Sequence, residues 1–143
     1  MRYSMILTAA VMMVLGFTAC KKSDNKNSAK TVANVSGSYK LTALTASQGG
    51  VSFNLYDSLP ACEKDNLIVL NTSGSAQFVD AGTACTPALD STGAWHLSPN
   101  ADSIYLGNDA AYINSFDGKT LKLTTDQKIS GFTVTAMTTL TKQ

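Results

Sequence analysis

Residues 131–141, which read Gly-Phe-Thr-Val-Thr-Ala-Met-Thr-Thr-Leu-Thr, contain the clearest secondary-structure signal in this chain. In an extended chain successive side chains point to opposite sides, so one side carries the apolar residues and the other carries threonines. The apolar side holds Phe132, Val134 and Ala136, and the other holds Thr133, Thr135 and Thr139. This alternation, together with the β-branched residues, predicts a half-buried β-strand.

Short runs of the same kind fill the chain between Ser36 and this last strand. They are separated by turn residues at spacings of about 8 to 12 residues, and no long helical pattern interrupts them. Asp117-Gly118 is typical of a tight hairpin turn. The predicted strands contain Tyr39 to Ala43, Asn66 to Asn71, Ser75 to Val79, Gly93 to Leu97, Ile104 to Leu106, Ala111 to Ile113, and Leu121 to Leu123. About eight short strands predict an all-β domain, either an antiparallel barrel or a β-sandwich. Residues 51–59 fit a short helix, a strand or a covering loop.

The amino-terminal residues predict export. Arg2 supplies a positive charge, Met5 to Phe17 is an apolar run, and small residues lead to Cys20. This pattern is typical of a secretory signal, and the run of roughly 13 residues is short for a transmembrane anchor, which needs about 20. Phe17-Thr18-Ala19-Cys20 resembles the lipobox of bacterial lipoproteins.

The lipobox resemblance implies that Cys20 becomes the lipidated first residue of the mature chain, carrying palmitate-type acyl chains that hold it on a membrane. Lys21 after that cysteine implies, by the same resemblance, the outer membrane of a Gram-negative cell envelope. The periplasmic and surface faces both remain open. The expected organisation is a signal peptide at residues 1–19, the lipidated cysteine and a polar, flexible tether at residues 20–35, and a β domain at residues 36–143.

Charge and composition exclude some classes of partner. Removal of the signal takes away Arg2, the single arginine, and leaves ten lysines against ten acidic residues. A neutral domain without arginine is not expected to bind nucleic acid, because that affinity comes largely from basic residues on phosphates. Loss of the planar guanidinium also disfavours anionic small molecules.

Cys62 and Cys85 remain once Cys20 is assigned to lipid. An even pair in an exported protein predicts a disulfide, which would contribute about 3 kcal/mol, and two free buried thiols are the alternative. The two cysteines flank a predicted hairpin, so we expect the bond to pin the open end of that hairpin. No Cys-x-x-Cys spacing indicates redox chemistry.

Several segments resemble the bacterial lipocalin-like domain lipoproteins. They are Gly37-Ser38-Tyr39-Lys40-Leu41-Thr42, Leu59-Pro60-Ala61-Cys62-Glu63-Lys64-Asp65-Asn66, Gly93-Ala94-Trp95-His96-Leu97-Ser98 and Asp117-Gly118-Lys119-Thr120-Leu121. The resemblance runs from Gly37 to about Thr141 and implies a small up-and-down, lipocalin-like barrel. Tyr39 departs from it, since tryptophan is usual there.

No pattern predicts catalysis, a metal or another cofactor, so we expect a protein that is not an enzyme. His96 is the only histidine and alternates with Trp95, so it is expected to point outward. The acids Asp57, Glu63 and Asp65 are expected to be solvated rather than a catalytic pair.

The strongest binding candidates are four aromatic residues on predicted inward faces, namely Tyr39, Phe78, Trp95 and Phe132. An eight-stranded barrel either fills its interior with side chains or holds one small ligand. A pocket for a small apolar ligand predicts a binding module. A filled interior predicts a structural envelope protein, or a module that engages proteins or glycans. The sequence leaves the oligomeric state open.

Overall fold

The computed structural model describes residues 28–143, which form nine strands and two short helices. Their bounds, in chain order, are α1 Val32–Val35, β1 Gly37–Gln48, β2 Val51–Asn54, α2 Ala61–Lys64, β3 Leu67–Leu70, β4 Ser75–Val79, β5 Ser91–Leu97, β6 Ser103–Leu106, β7 Asp109–Phe116, β8 Thr120–Ile129 and β9 Phe132–Lys142. The all-β prediction is therefore confirmed. The segment that the sequence left ambiguous forms β2 and then a turn.

Eight of the strands form a closed antiparallel barrel. Each strand from β3 to β8 pairs with the next along the chain, and β1 pairs with both β3 and β9 to close the barrel. β2 is an extra strand on β1, which raises the number of strands from the predicted eight to nine. Because the sheet closes on itself, the alternative of a β-sandwich is wrong.

Three strands are longer than the rest and rise above the barrel at one end. β1, β8 and β9 have 12, 10 and 11 residues, whereas β3 and β6 have only four each. Their extensions, together with β2, form a four-stranded projection that we call the flap, made of residues 45–54, 125–129 and 132–136. We call this end of the barrel the open end.

The opposite end, which we call the closed end, is plugged by α1. Val35 on this helix is fully buried, and its carbonyl oxygen accepts a 2.6 Å hydrogen bond from the hydroxyl of Tyr39. The Ser28 amide also donates to the carbonyl oxygen of Phe116 at 2.6 Å. Residues 28–35, part of the segment predicted as a tether, thus contact the barrel.

Most of the core lies near the closed end. The largest fully buried side chains are Val35, Tyr39, Leu70, Ile104, Ile113, Phe116 and Leu121. The whole core cluster has members on all eight barrel strands and on α1, so it joins the barrel wall to its plug. Burial of this apolar surface supplies the main favourable term in folding.

The predicted disulfide between Cys62 and Cys85 is present. Their Cα atoms lie 5.3 Å apart, and the bond ties α2 to the loop between β4 and β5. Both elements lie just beyond the open end of the β3–β4 hairpin, as the sequence predicted.

Two predictions concern membranes. Within residues 28–143 no helix is long and apolar enough to cross a bilayer. The predicted signal peptide and Cys20 lie outside the described residues.

A half-open apolar pocket at the barrel mouth

The open end of the barrel contains an apolar pocket of about 290 Å³. Its walls come from β1, β3, β4 and β9, and its rim comes from α2 and the loops on either side of the disulfide. The lining residues are Leu41, Leu44, Leu59, Glu63, Asn66, Ile68, Phe78, Leu89, Thr138 and Leu140. Its volume is close to the lower limit of about 300 Å³ for pockets that hold drug-sized molecules.

The barrel interior beside this pocket is unfilled because one strand turns small residues inward. Gly93 on β5 is paired with the inward-facing Ala76, and a Cβ built on Gly93 meets no other atom within 4 Å. A second cavity of about 230 Å³ lies here and shares Ile68 and Phe78 with the first. The open half of the barrel therefore holds space where the closed half holds side chains.

A buried amide forms part of the pocket wall. Asn66 is only 5% exposed, and its Oδ1 accepts a hydrogen bond from the Ala81 amide at 3.2 Å. Because an N–H faces Oδ1, the orientation of the amide is fixed and Nδ2 must point elsewhere. Nδ2 has no hydrogen-bond partner among the described residues. A buried donor without a partner costs about 1–3 kcal/mol, so this group needs an explanation.

The rim loop is held in shape by two carboxylates as well as by the disulfide. Asp65 Oδ2 accepts from the Thr83 amide at 2.8 Å. Asp80 Oδ2 accepts from the amides of Cys85 at 3.0 Å and Leu89 at 3.4 Å. Charged acceptors bind backbone amides about twice as strongly as neutral ones. These bonds therefore fix the loop that carries Leu89 over the pocket.

The four aromatic residues predicted as a ligand site are not brought together. Tyr39 and Trp95 are buried at 0% and 2% exposure and belong to the packed core. Phe78 lines the pocket and is 41% exposed towards it. Phe132 was predicted on a core face but is 61% exposed, which corrects that prediction. Its strand face is inward as expected, but it lies on the flap, beyond the ends of the neighbouring strands.

The pocket residues that the sequence did not single out come from loops and strand ends. Leu59 and Leu89 lie in loops, and Leu44 follows a register shift in β1 between Leu41 and Ala43 that changes which residues face inward. The alternation before that shift predicts the opposite face for Leu44. Only its apolar character within a strand could have indicated a role.

The Lys142 side chain packs over two core rings at the closed end. The ammonium group of Lys142 lies 5.6 Å from the centres of both the Tyr39 and Phe116 rings and donates to the carbonyl oxygen of Asn34. Burial lowers the pKa of the Lys142 ammonium and raises the pKa of the Tyr39 hydroxyl to about 12. Both pKa shifts have the same cause: burial removes water from around the group, which disfavours its charged form.

Among the polar residues singled out from the sequence, Asp65 was expected to be solvated, but its Oδ1 is buried and has no hydrogen-bond partner among residues 28–143. His96 is exposed and stacks on Tyr105, with ring centres 4.6 Å apart. The Asp57 carboxylate accepts from the Asn54 amide at 2.8 Å. Over residues 28–143 no group of three or more histidine, cysteine or acidic residues is arranged to hold a metal ion.

Comparison of the chain with models of protein families, with curated proteins and with solved structures finds no significant match. The resemblance to lipocalin-like lipoproteins therefore stays a prediction, and the pocket itself is the guide to function.

Proposed function

We propose that this protein is a lipid-anchored lipoprotein of the cell envelope whose barrel binds a small apolar ligand in the half-open pocket. The observation that carries the binding proposal is the 290 Å³ pocket, whose lining is apolar apart from Glu63, Asn66 and Thr138. A soluble barrel gains no stability from apolar surface left open at its mouth, whereas a ligand that covers this surface would be stabilised there. The unfilled half of the barrel favours a ligand over the alternative of a structural or interaction module with a filled interior.

The polar groups of the pocket specify the chemistry of that ligand. Glu63 is the only charged residue in the lining, so an anionic ligand would meet a like charge and no cation. The other lining residues are apolar except for the neutral Asn66 and Thr138. The proposed ligand is therefore a neutral, largely apolar molecule.

Displacement of the neutral fluorophore N-phenylnaphthylamine tests this proposal. We expect decanol to displace the fluorophore from the described domain and decanoate to do so at least tenfold more weakly at pH 8. Thr138→Phe, which places a ring in the pocket, is expected to abolish displacement. Thr139→Phe is the matched control, because the next residue of β9 faces the other side of the sheet. Absence of saturable decanol binding, or equal loss in both variants, contradicts the proposal.

The anchor has its own test. Mass spectrometry of the protein from detergent extracts of its host is expected to show an acylated amino terminus at Cys20, with residues 1–19 removed. Cys20→Ser is expected to release the protein into the soluble fraction. A mature amino terminus at another residue, or one without acyl chains, contradicts the lipoprotein assignment while leaving the pocket proposal in place.

A further inference from the structure

The flap has one face without charge and one polar face. Strand pairing aligns Phe53, Ala46, Ala136 and Thr125 in one row across four strands, and Ile129 is paired with Phe132 in another. The residues on this face, which we call the inner face, are Ala46, Gln48, Val51, Phe53, Thr125, Gln127, Ile129, Phe132, Val134 and Ala136. The charged residues of the flap, Asp126 and Lys128, alternate onto the opposite face.

The inner face of the flap continues the wall of the pocket. Leu44 and Thr138 line the pocket and are paired with each other, and two residues further along their strands come Ala46 and Ala136. From Thr138 to Phe132 the strand advances six residues, or about 20 Å at 3.3 Å per residue. An uncharged, largely apolar surface, which also contains the amides of Gln48 and Gln127, therefore runs from the pocket to the tip of the flap.

Apolar side chains on this face are exposed to an unusual degree. Val51, Phe53, Ile129 and Phe132 are each between 54% and 61% exposed. Val51, Phe53 and Phe132 line a shallow groove of about 510 Å³ at the tip. Contiguous exposed apolar surface of this kind marks a binding surface more often than an ordinary protein exterior.

We infer that the inner face of the flap is the second half of an elongated binding site, which takes the hydrocarbon chain of a lipid whose neutral end occupies the pocket. This inference rests on the proposed function. The pocket lining is neutral apart from Glu63 and can accommodate the neutral end, and a pocket of about 290 Å³ leaves the chain to extend through the mouth. Beyond the mouth, the uncharged inner face of the flap can contact the part of the hydrocarbon chain that is too long for the pocket. The ligand class is thus a long-chain alcohol, or a neutral lipid with such an end, rather than a compact apolar molecule.

A chain-length series of alcohols tests the inference. Hexanol, octanol, decanol and dodecanol are compared by displacement of N-phenylnaphthylamine, below their solubility limits. Each added CH₂ that reaches the flap is expected to tighten binding about fourfold, because burial of one CH₂ contributes about 0.8 kcal/mol. Phe132→Ser is expected to leave hexanol binding unchanged and to weaken dodecanol binding at least tenfold. Met137→Ser is the matched control: Met137 is also exposed, at 47%, but its side chain alternates onto the opposite face of β9.

The outcomes separate this inference from the proposed function. If hexanol binds but affinity does not rise with chain length, or if Phe132→Ser and Met137→Ser behave alike, the flap inference fails and the pocket proposal stands. If no alcohol displaces the fluorophore, both fail. Sedimentation velocity and vesicle flotation of the wild type and Phe132→Ser complete the test. If the alcohol series is unchanged in Phe132→Ser but self-association is lost, the flap binds a second copy of the chain. If vesicle binding is lost instead, the flap binds a bilayer. Either result would overturn the inference.

Discussion

Replacing Trp95 with alanine is expected to destabilise the domain by about 4 kcal/mol. The indole is 2% exposed within the core cluster, and its Nε1 donates to the carbonyl oxygen of Asn71 at 2.8 Å. Truncation of a buried tryptophan costs about 3–5 kcal/mol through lost burial and the cavity that remains. Residues 28–143 are expected to have a total stability of about 6–17 kcal/mol, at 0.05–0.15 kcal/mol per residue. The substitution thus removes a large fraction of it.

Phe132→Ala is the matched comparison, because the sequence predicts that both Trp95 and Phe132 face inward. Phe132 is 61% exposed, so its truncation is expected to cost less than about 1 kcal/mol. Urea unfolding followed by far-UV circular dichroism measures both, since Trp95 is the only tryptophan and cannot report on its own removal. Trp95→Phe, expected to cost about 1–2 kcal/mol, keeps the test usable if the alanine variant does not fold. A cost below about 1 kcal/mol for Trp95→Ala, or an equal cost for Phe132→Ala, would refute the assignment of the core to the closed half.

Two further predictions concern the rim and the plug. Replacing Cys62 and Cys85 with serine is expected to lower the free energy of unfolding by about 3 kcal/mol, as measured in urea. The reason is that the disulfide closes a loop with a sequence separation of 23 residues, which limits the entropy of the unfolded chain. An unchanged unfolding midpoint would contradict the prediction. Burial raises the pKa of Tyr39 from 10.0 to about 12, so the neutral hydroxyl stabilises the fold fully below pH 10. That contribution is lost as the pH rises through about 12, and it amounts to about 3 kcal/mol at most. Tyr39→Phe is expected to remove this alkaline loss in urea titrations, whereas Tyr112→Phe, at an exposed position, is expected to keep it.

Strand alternation predicted most of the barrel because each strand buries one face against a single core. β4 occupies the predicted residues Ser75–Val79, and the residues between Gly93 and Leu97 lie within β5. Alternation could not predict that the sheet closes, because it specifies which face of a strand is buried and not which strands become neighbours. The pairing of β1 with β9 joins residues about 90 to 100 positions apart and leaves no local signal.

The pocket was less predictable than the fold for two physical reasons. The register shift in β1 exchanges inward and outward positions, so Leu44 faces the pocket against the alternation that precedes it. Strand length also matters, because an inward residue is buried only where neighbouring strands extend as far. Phe132 is inward and exposed for this reason, since β9 runs past the ends of β4 and β5. The periodicity of the sequence indicates on which face of the sheet a side chain lies. It does not indicate whether the strands opposite extend far enough to bury that side chain.

The division of the barrel into two halves bears on how a lipid anchor and a binding site can coexist in so small a domain. The chain enters at the closed end, where the Ser28 amide donates to the Phe116 carbonyl oxygen. Seven residues lie between Cys20 and Ser28, so the two can be at most about 29 Å apart. If Cys20 is lipidated as proposed, the tether joins the barrel at its closed end, and the pocket and flap lie at the opposite end. Because most of the core is in the closed half, the open half can leave Gly93 without a neighbour and Phe132 exposed while the fold stays stable. The same separation explains why substitutions at the tip of the flap are expected to change binding and not stability.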